Sequence, residues 1–456
     1  MNNLRIVDNH EYIKLDATPD SRYWHSSFDN YELVKRDLAE YISNKPIGEL
    51  TLEDNPNLLV FPRDLHRYGD EISERHIISM SGDKISTGNI MGFIGVNDTQ
   101  LDIKSRFAKA DGNDFFLHYM LQKVFSINLF DIKHTTNQED VFDFLLYLFP
   151  HFLKKALAQG LFKKYRRFEY NDANIRGPID VKRHIRENIP FRGTVAYSTR
   201  EHSYDNEITQ LVRHTIEYIR TKEFGANILN NDPETKDCIT QITLATQSYN
   251  VRERMKVISQ NLRPVRHPYF SAYTELQNLC LRILRHESIK YGQEKDKVYG
   301  ILFDGAWLWE EYLAILLKDK FNHYLKNSGK KYYLFQHNNH NIQQIIPDYI
   351  SKDRTVVADA KYIPLDKNDN YGEKSERATA IYYKTITYMY RFNTTIGYLL
   401  YPHPDSTEKT DLKINGEFGG ELIKLGLHIP SGCKDFESFV KAINETEFDF
   451  LKEIKE

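Results

Sequence analysis

The chain has few cysteines and lacks any long apolar run, and each absence excludes a class of protein. Its three cysteines, Cys238, Cys280 and Cys433, are far apart and show no Cys-x-x-Cys spacing, which argues against a zinc ribbon or a disulfide scaffold and fits a reducing compartment. No segment approaches the roughly 20 apolar residues that a membrane helix needs, and the N-terminus lacks the apolar core of a signal peptide. We therefore expect a soluble cytoplasmic protein with no membrane contact.

A strong net charge and a phosphate-binding loop are also missing. The formal net charge is only −3, so any contact with nucleic acid has to come from local basic patches. No segment reads Gly-x-x-x-x-Gly-Lys-[Ser/Thr], the loop that cradles nucleotide phosphates. Any nucleotide hydrolysis linked to this protein would therefore come from a partner.

The 456 residues, 41% of them hydrophobic and 27% charged, suit a globular α+β protein of two or three domains. Short alternating segments, among them a hairpin pattern over residues 91–104, predict a β-rich domain over 1–110. Apolar residues at helical spacing predict a mainly helical region over 111–290. Helical and strand patterns mix over 291–456, which predicts an α/β domain.

The C-terminal region contains acidic residues at strand ends. Pro347-Asp348 precedes one short apolar strand, and the next predicted strand ends in Asp359-Ala360-Lys361. A hairpin of these strands would bring the two carboxylates to one edge of the sheet. Side chains two residues apart on a strand share a face, so Lys361 would project beside Asp359.

Two carboxylates and a lysine in this arrangement suit metal-dependent phosphodiester hydrolysis. Mg²⁺, or alternatively Mn²⁺, takes one or two carboxylates together with water and phosphate oxygens. Asp348 and Asp359 are the predicted metal ligands, and Lys361 would orient the attacking water or stabilise the phosphate. The alternative is a structural or solvated salt bridge, because Asp-x-Lys triplets are common and Pro-Asp often marks a turn.

A third carboxylate on the preceding predicted helix, either Glu310 or Glu311, is a further candidate for the site. Glu310 lies beside the apolar stripe of the helix, and this spacing turns it towards the sheet. Glu311 shares a face with Trp307 and Leu308, and it remains the competing choice at this point.

The segment 151–200 carries a basic patch, with twelve Lys or Arg against four acidic residues. Cations interleave with aromatic or apolar residues there, which suits contact with a DNA backbone. A solvated surface and a docking surface for a protein partner are the alternatives. The candidate DNA-binding residues are Lys163, Lys164, Arg166, Arg167, Lys182, Arg183 and, beside the acidic site, Lys384.

Pro347-Asp348…Asp359-Ala360-Lys361-Tyr362 resembles the PD-(D/E)xK nuclease motif, in the form found in the McrC family of restriction subunits. Further segments resemble this family in the same order along the chain. They are Gln159-Gly160-Leu161-Phe162-Lys163-Lys164-Tyr165, Ile175-Arg176-Gly177-Pro178-Ile179-Asp180, Asp205-Asn206-Glu207-Ile208, Leu308-Trp309-Glu310-Glu311-Tyr312 and Leu399-Leu400-Tyr401-Pro402. The similarity to the family's Leu-Phe-Glu-x-Phe favours Glu310 over Glu311. The chain departs from the family at Ile381-Tyr382-Tyr383-Lys384, where Asp-Leu-Tyr-Gln is usual, and its first ninety residues match weakly.

The resemblance implies a restriction-endonuclease-like C-terminal domain and a subunit that works with others. Such subunits bind an AAA+ GTPase of the McrB type through an N-terminal region and cut double-stranded DNA with Mg²⁺, in antiviral restriction systems such as the LlaJI type. The expected function is therefore that of a motor-gated DNA endonuclease subunit. The alternatives are a non-catalytic activator of an AAA+ NTPase and a stand-alone repair or defence nuclease.

Overall fold

The computed structural model describes residues 2–12, 25–27, 31–51, 58–62, 72–82, 84–97, 99–108, 114–125, 138–222, 225–230, 232–285, 298–323, 332–363, 365, 376–417 and 419–455. The chain divides into two compact units. The split unit comprises Met1–Ser126 and Gly292–Glu456, and the inserted unit comprises Ile127–Tyr291. None of the described helices is long and apolar enough to span a membrane.

The strands and helices have the following bounds in chain order. The strands are β1 (Asn2–Val7), β2 (Glu11–Tyr12), β3 (His25–Ser27), β4 (Leu58–Phe61), β5 (Ile78–Ser81), β6 (Lys84–Thr87), β7 (Ile90–Val96), β8 (Thr99–Lys104), β9 (Lys164–Asp172), β10 (Val195–Ser203), β11 (Tyr299–Asp304), β12 (Phe321–His323), β13 (Tyr332–His337), β14 (His340–Ile345), β15 (Tyr349–Ser351), β16 (Val356–Ala360), β17 (Ile396–His403), β18 (Glu408–Lys413) and β19 (Glu421–His428). The helices are α1 (Tyr31–Tyr41), α2 (Ile47–Leu50), α3 (Phe115–Phe125), α4 (Gln138–Leu157), α5 (Val181–Glu187), α6 (Glu207–Arg220), α7 (Gly225–Leu229), α8 (Pro233–Ala245), α9 (Arg254–Gln260), α10 (Ala272–Arg285), α11 (Gly305–Leu316), α12 (Glu376–Phe392) and α13 (Phe436–Glu453).

The first sheet of the split unit has the strand order β3-β1-β8-β7-β11-β4. A smaller sheet of the same unit has the strand order β2-β6-β5. The predicted hairpin over residues 91–104 is present, because β7 pairs antiparallel with β8. β11 comes from the C-terminal part of the chain and pairs with both β7 and β4. A Cβ at Gly92 would lie 2.1 Å from the carbonyl oxygen of Ile301 on β11, so only glycine allows this close approach.

This sheet changes the predicted domain organisation. Separate domains were predicted over 1–110 and 291–456, but both segments belong to the split unit. The reason is that β11 joins a sheet formed by residues far away in sequence. The pattern of apolar residues in β11 does not show which sheet the strand joins. The middle region predicted over 111–290 overlaps the inserted unit, Ile127–Tyr291, but its first helix, α3, belongs to the split unit.

The second sheet of the split unit has the order β12-β15-β16-β17-β19-β18. β16 and β17 are parallel and buried on both faces, which explains their continuous apolar sequences. α11 packs on this sheet and on α3. The side chain of Trp309 in α11 is fully buried, and its indole N–H donates to the carbonyl oxygen of Leu400 on β17 at 3.1 Å.

The inserted unit is built around α4, α6 and α10, which pack on one another. Asn206 caps α6, and its side chain accepts hydrogen bonds from the backbone N–H groups of Ile208 and Thr209, which satisfies donors that a helix start leaves unpaired. The unit also contains the long antiparallel pair β9–β10, which the mainly helical prediction did not include. The basic segment therefore lies on a hairpin and on the short helix α5.

Candidate active site

The register of β15 and β16 places the two predicted aspartates opposite each other. Tyr349 pairs with Ala358 and Ile350 with Val357 in this antiparallel ladder, so Asp348 and Asp359 occupy the next opposed positions. Opposed residues of an antiparallel pair project from the same face of the sheet. The backbone N–H of Ala360 donates to Asp348 Oδ2 at 2.7 Å, which fixes that carboxylate at the end of β16.

Asp359 is fully buried in the middle of the sheet. Lys361 forms an ion pair with its Oδ2, and Lys384 Nζ lies 3.8 Å from its Oδ1. Burial alone would raise the pKa of Asp359, but Lys361 and then Lys384 hold this pKa below its usual value. The Asp359 side chain is therefore an ionised carboxylate that faces two cationic side chains.

The electrostatic environment of Asp348 shifts its pKa in the opposite direction to that of Asp359. Burial raises its pKa well above the usual value, and the nearby carboxylates of Asp359 and Glu310 raise it further. Lys361 and Lys384 oppose this shift without reversing it. Two carboxylates at this separation resist carrying two charges, so the metal-free pair retains a proton on Asp348.

Lys361 follows directly after β16, and its backbone N–H extends the parallel ladder by donating to the carbonyl oxygen of Leu400 at 2.8 Å. Its side chain is 17% exposed. Burial works against the charged form, but Asp359 and then Asp348 raise the pKa of Lys361 above its usual value. Lys361 is therefore a charged ammonium beside both aspartates, as the sequence spacing predicted.

Glu310 on α11 is the helix carboxylate that acts on Asp348. Its Oε1 lies 2.8 Å from Nε2 of His323 on β12, and its backbone carbonyl accepts a hydrogen bond from the hydroxyl of Tyr349. The ring of His323 lies 5.5 Å from the ring of Tyr349. His323 and Tyr349 together hold Glu310 at the edge of the site.

His323 is the site residue that the sequence reasoning missed. It is 5% exposed, and its Nδ1 has no hydrogen-bond partner among the described residues. Phe321-Asn322-His323 follows α11 without any motif, and only the pairing of β12 with β15 brings it to Glu310. A lone histidine after a predicted helix gives no signal that could have identified it.

Lys384 lies on α12, which packs on β16 and β17. Its side chain is 48% exposed. One turn further along α12, the hydroxyl of Tyr388 donates to the carbonyl oxygen of Ile346 at 2.8 Å. This bond anchors α12 to the backbone just before Pro347-Asp348, so the departure from the family pattern at Lys384 falls within the site.

The two aspartates fit a hard divalent cation. The described residues include no group of three or more His, Cys, Asp or Glu side chains arranged to hold a metal ion. Mg²⁺ needs only one or two protein carboxylates, because water and substrate oxygens complete its octahedron. The ionised Asp359 would supply one such carboxylate, and the opposed Asp348 would supply the other. Glu310 is instead engaged with His323.

The other predicted DNA-binding residues lie in the inserted unit. Lys164 pairs with Glu207, and Arg167 Nη2 lies 3.6 Å from Asp180 Oδ2. Arg166 hydrogen-bonds the backbone carbonyl of Asp205. Lys163 and Lys182 are exposed.

Arg183 differs from these residues because its guanidinium is largely buried. It donates to the backbone carbonyls of Tyr170 and Tyr197, both at 2.7 Å, and to Glu169 at 2.8 Å. Arg183 thus ties α5 to both strands of the hairpin, which is a structural role.

Comparisons with known proteins place this geometry in a family. The profile described as "McrBC 5-methylcytosine restriction system component" matches residues 85–402, and no curated protein sequence matches the chain. One similar solved structure is a refined half-complex from a tetradecameric assembly of Thermococcus gammatolerans McrB AAA+ hexamers with bound McrC, at 15% identity, 97% coverage of this chain, 99% of that chain and a TM-score of 0.44. Another is a cryo-EM structure of the Thermococcus gammatolerans McrBC complex, at 13% identity, 69% and 87% coverage and a TM-score of 0.28. The profile spans well over half of the 456 residues, so the resemblance is confirmed and this chain belongs to the McrC family of McrBC restriction system components.

Proposed function

We propose that this protein is the Mg²⁺-dependent DNA endonuclease subunit of a restriction system driven by an AAA+ GTPase. The observation that carries the proposal is the meeting of Asp348, Asp359 and Lys361 at the end of β16. Burial and the neighbouring carboxylates of Asp359 and Glu310 raise the pKa of Asp348, so the concentration of negative charge here is costly without a cation. Such a cluster of buried carboxylates is typical of a site that holds a cation.

Asp359 and Asp348 are the proposed ligands of Mg²⁺, for which Mn²⁺ could substitute. When bound, the cation would supply positive charge to the scissile phosphate and lower the pKa of a nearby water. Asp359 is already ionised, and Asp348 would have to give up its proton to solvent before both carboxylates could hold the cation.

The remaining side chains would position water and phosphate. The Lys361 ammonium is close enough to both aspartates to orient the attacking water and to stabilise charge on the phosphate. Glu310, held by His323, supports the metal shell from the helix side. The half-exposed Lys384 is suited to hold a phosphate oxygen in place of the usual glutamine.

The proposal of a motor partner rests on family membership. McrC-like proteins are expected to work with an AAA+ GTPase of the McrB type, and this chain has no phosphate-binding loop of its own. We therefore assign GTP hydrolysis and DNA translocation to the partner and cutting of double-stranded DNA to this chain. The N-terminal region is the proposed docking segment for the partner.

The basic hairpin of the inserted unit is a proposed contact for the DNA backbone. Lys163, Lys164 and Lys182 are exposed and lie on or beside β9 and α5, as do Arg166 and Arg167. Phosphate contacts of this kind weaken steeply with salt. Arg183 would contribute indirectly, by holding α5 on the hairpin.

Plasmid cleavage tests the proposal. The chain is incubated with supercoiled plasmid and Mg²⁺, alone and with the AAA+ protein encoded beside it plus GTP. We expect cutting by the complete mixture and a loss of at least a hundredfold in Lys361→Ala, because Lys361 is in direct contact with Asp359 whereas the Nζ of Lys384 lies 3.8 Å from it. Lys352→Ala is the matched control, since Lys352 is an exposed lysine in the turn between β15 and β16.

The outcomes separate three functions. Cutting only by the complete mixture supports a motor-gated nuclease. Cutting by the chain alone, without any gain from the partner, would indicate a stand-alone nuclease. Faster GTP hydrolysis without cutting would indicate a non-catalytic activator, and equal cutting by wild type and Lys361→Ala would refute the assigned site.

A further inference from the structure

The inserted unit contains a cavity whose lining includes Lys163 and Lys164, two of the proposed DNA-contacting residues. It has a volume of about 660 Å³ and opens to solvent between the start of β9, the start of α6 and the loop that joins α9 to α10. This volume suits a ligand of nucleotide size. The aromatic and cationic side chains that line it include Phe162, Lys163, Tyr165, Arg263, Arg266 and Phe270.

The loop from Asn261 to Phe270 forms one wall and is held in place by a buried glutamine. The Gln277 side chain is 1% exposed. Its amide donates to the backbone carbonyls of Asn261 and Arg263 and accepts from the N–H of Val265 at 2.8 Å. Thr274 donates to the carbonyl of Val265 at 2.6 Å. The backbone that carries Arg263 and Arg266 is therefore fixed before any ligand arrives, which lowers the entropy cost of binding.

The cavity is strongly positive. Four cations line it, Lys163, Lys164, Arg263 and Arg266, and the acidic lining residue is Glu207. Glu207 is already paired with Lys164. In the part of the chain that the structure describes, Arg263 and Arg266 have neither an ion pair nor a side-chain hydrogen bond. Two guanidinium groups on a fixed loop can each bind a phosphate through two N–H donors.

Aromatic side chains also line the cavity. Phe162 is buried and packs on Phe270 with ring centroids 5.1 Å apart. Tyr165 is 57% exposed, and its ring lies 3.8 Å from the ring of His202. An exposed aromatic face beside cations is typical of sites that stack a nucleobase.

We propose that this cavity binds a nucleoside phosphate, with the phosphates on Arg263 and Arg266 and the base against Tyr165 and Phe162. A free nucleotide and a nucleotide within a DNA strand offer the same base and phosphate chemistry, and the competition experiment below distinguishes these two sources. The site is distinct from the aspartates of the split unit. It does not depend on the proposed nuclease activity.

Binding of defined probes to the full-length chain tests the site in EDTA, which prevents DNA cleavage. Free GTP, ATP and pyrophosphate are titrated calorimetrically, and a fluorescein-labelled single-stranded oligonucleotide is titrated by anisotropy. The double variant Arg263→Gln/Arg266→Gln should weaken every probe at least tenfold. Tyr165→Ala should weaken GTP, ATP and the oligonucleotide but leave pyrophosphate unchanged, because pyrophosphate has no base.

Arg252→Gln is the matched control, since Arg252 is an exposed arginine of the same unit that does not line the cavity. Competition identifies the source of the nucleotide. If GTP or ATP displaces the oligonucleotide at concentrations near its own dissociation constant, the site is one for free nucleotides that a strand can also enter. If the oligonucleotide binds and neither GTP nor ATP does, the site is a strand site. Absence of binding by every probe at millimolar concentration, or equal binding by wild type and the double arginine variant, would overturn the proposal. The substituted side chains are exposed, and thermal unfolding verifies that each variant is folded.

Discussion

At the scale of single residues, Asp348 and Asp359 have the same chemistry but opposite effects on the metal-free protein. Asp359 is the partner of Lys361, whereas Asp348 faces two other carboxylates. Replacing each of them by asparagine should therefore change the free energy of unfolding in opposite directions. The sequence treats the two residues as equivalent ligands, and only the structure distinguishes them.

We expect Asp359→Asn to destabilise the metal-free protein by about 2 kcal/mol, because it leaves the Lys361 charge unpaired in a mostly buried site. This figure is reduced from the full cost of a buried unpaired charge, since Lys361 is partly exposed. Asp348→Asn should be neutral or stabilising, because Asp348 has to take up a proton on folding whereas an amide does not, and the amide oxygen can still accept from the N–H of Ala360.

Urea unfolding in EDTA measures both effects, with the exposed Asp411→Asn on β18 as a control. Equal destabilisation by Asp348→Asn and Asp359→Asn would contradict the assigned charges. Both variants should still lose plasmid cleavage, which would separate function from stability.

His323 provides a second test at this scale, which rests on the proposed nuclease function. Loss of a residue that orients a group beside a metal typically lowers activity by about 10–100-fold. We expect His323→Ala to lower kcat by this amount with little change in KM for DNA, because Glu310 would lose its anchor. His323→Gln should recover much of kcat, since a glutamine amide can donate to Glu310. A purely structural role would instead appear as a lower unfolding temperature in both variants, with kcat of the folded fraction unchanged.

At the scale of helices and strands, the sequence predicts the elements around the site well. The continuous apolar sequences of β16 and β17 identify central strands, and the charged residues at the end of β16 identify the candidate site. The strands with which these central strands pair were harder to predict from the sequence. β12 has three residues, β15 has three, and neither contains a pattern long enough to show period two. The contact between His323 and Glu310 depends on that pairing, so it could not be predicted.

The same limitation applies to β9 and β10. Residues 164–172 contain five Lys, Arg, Asp or Glu side chains and alternate only weakly between buried and exposed positions. The strand pairs with β10 over nine residues, so backbone hydrogen bonds rather than an apolar face define it. Patterns of hydrophobic residues do not detect such a hairpin.

Helix α6 supports a prediction about pH. His214 lies on its buried face, with the Tyr249 ring 4.7 Å away, and neither ring nitrogen has a hydrogen-bond partner among the described residues. Burial, followed by the charge of Arg254, lowers the pKa of His214 to about 4. The folded state therefore resists protonation that the unfolded chain accepts near pH 6.5. Stability from this residue is complete above pH 6.5 and is lost as the pH falls towards 4.

The loss should reach about 2 kcal/mol at pH 5. His214→Phe keeps an aromatic ring against Tyr249 and cannot be protonated, so the difference in unfolding free energy between pH 7.5 and 5 should shrink by that amount. Urea unfolding followed by far-ultraviolet ellipticity measures it. His76→Phe, at an exposed position, should leave the pH dependence unchanged. An unchanged pH dependence in His214→Phe would show that this histidine is protonated in the folded state.

At the scale of the whole molecule, the chain forms the first part of the split unit, then the inserted unit, and then the rest of the split unit. β11 follows the inserted unit in sequence, completes the N-terminal sheet and leads directly into α11. Asp304 at this junction caps α11 through the N–H groups of Ala306 and Trp307 and pairs with Arg75 at 2.7 Å. The helix that carries Glu310 is therefore positioned by the N-terminal sheet, so the N-terminal residues support the candidate site as well as any partner.

This topology predicts which fragments fold. Without β11, strand β4 loses the partner it has in the sheet, and β7 becomes an exposed edge. Burial of Val298, Ile301, Leu302 and Phe303 is also lost, at about 1.5–3 kcal/mol for each side chain. The sum, about 6–12 kcal/mol, is comparable to the whole stability of a typical domain. We therefore expect residues 1–126 alone to lack a cooperative unfolding transition.

Residues 138–285 should behave differently, because α10 at the end of this fragment packs both on α4 at its start and on α6. Circular dichroism melting and dispersion of amide resonances compare the two fragments directly. Coexpression of 1–126 with 292–456 should restore a folded complex, since it returns β11 to the sheet. A cooperative transition for 1–126 alone would support the independent N-terminal domain that the sequence predicted, and β11 would then be an addition to a sheet that is already stable.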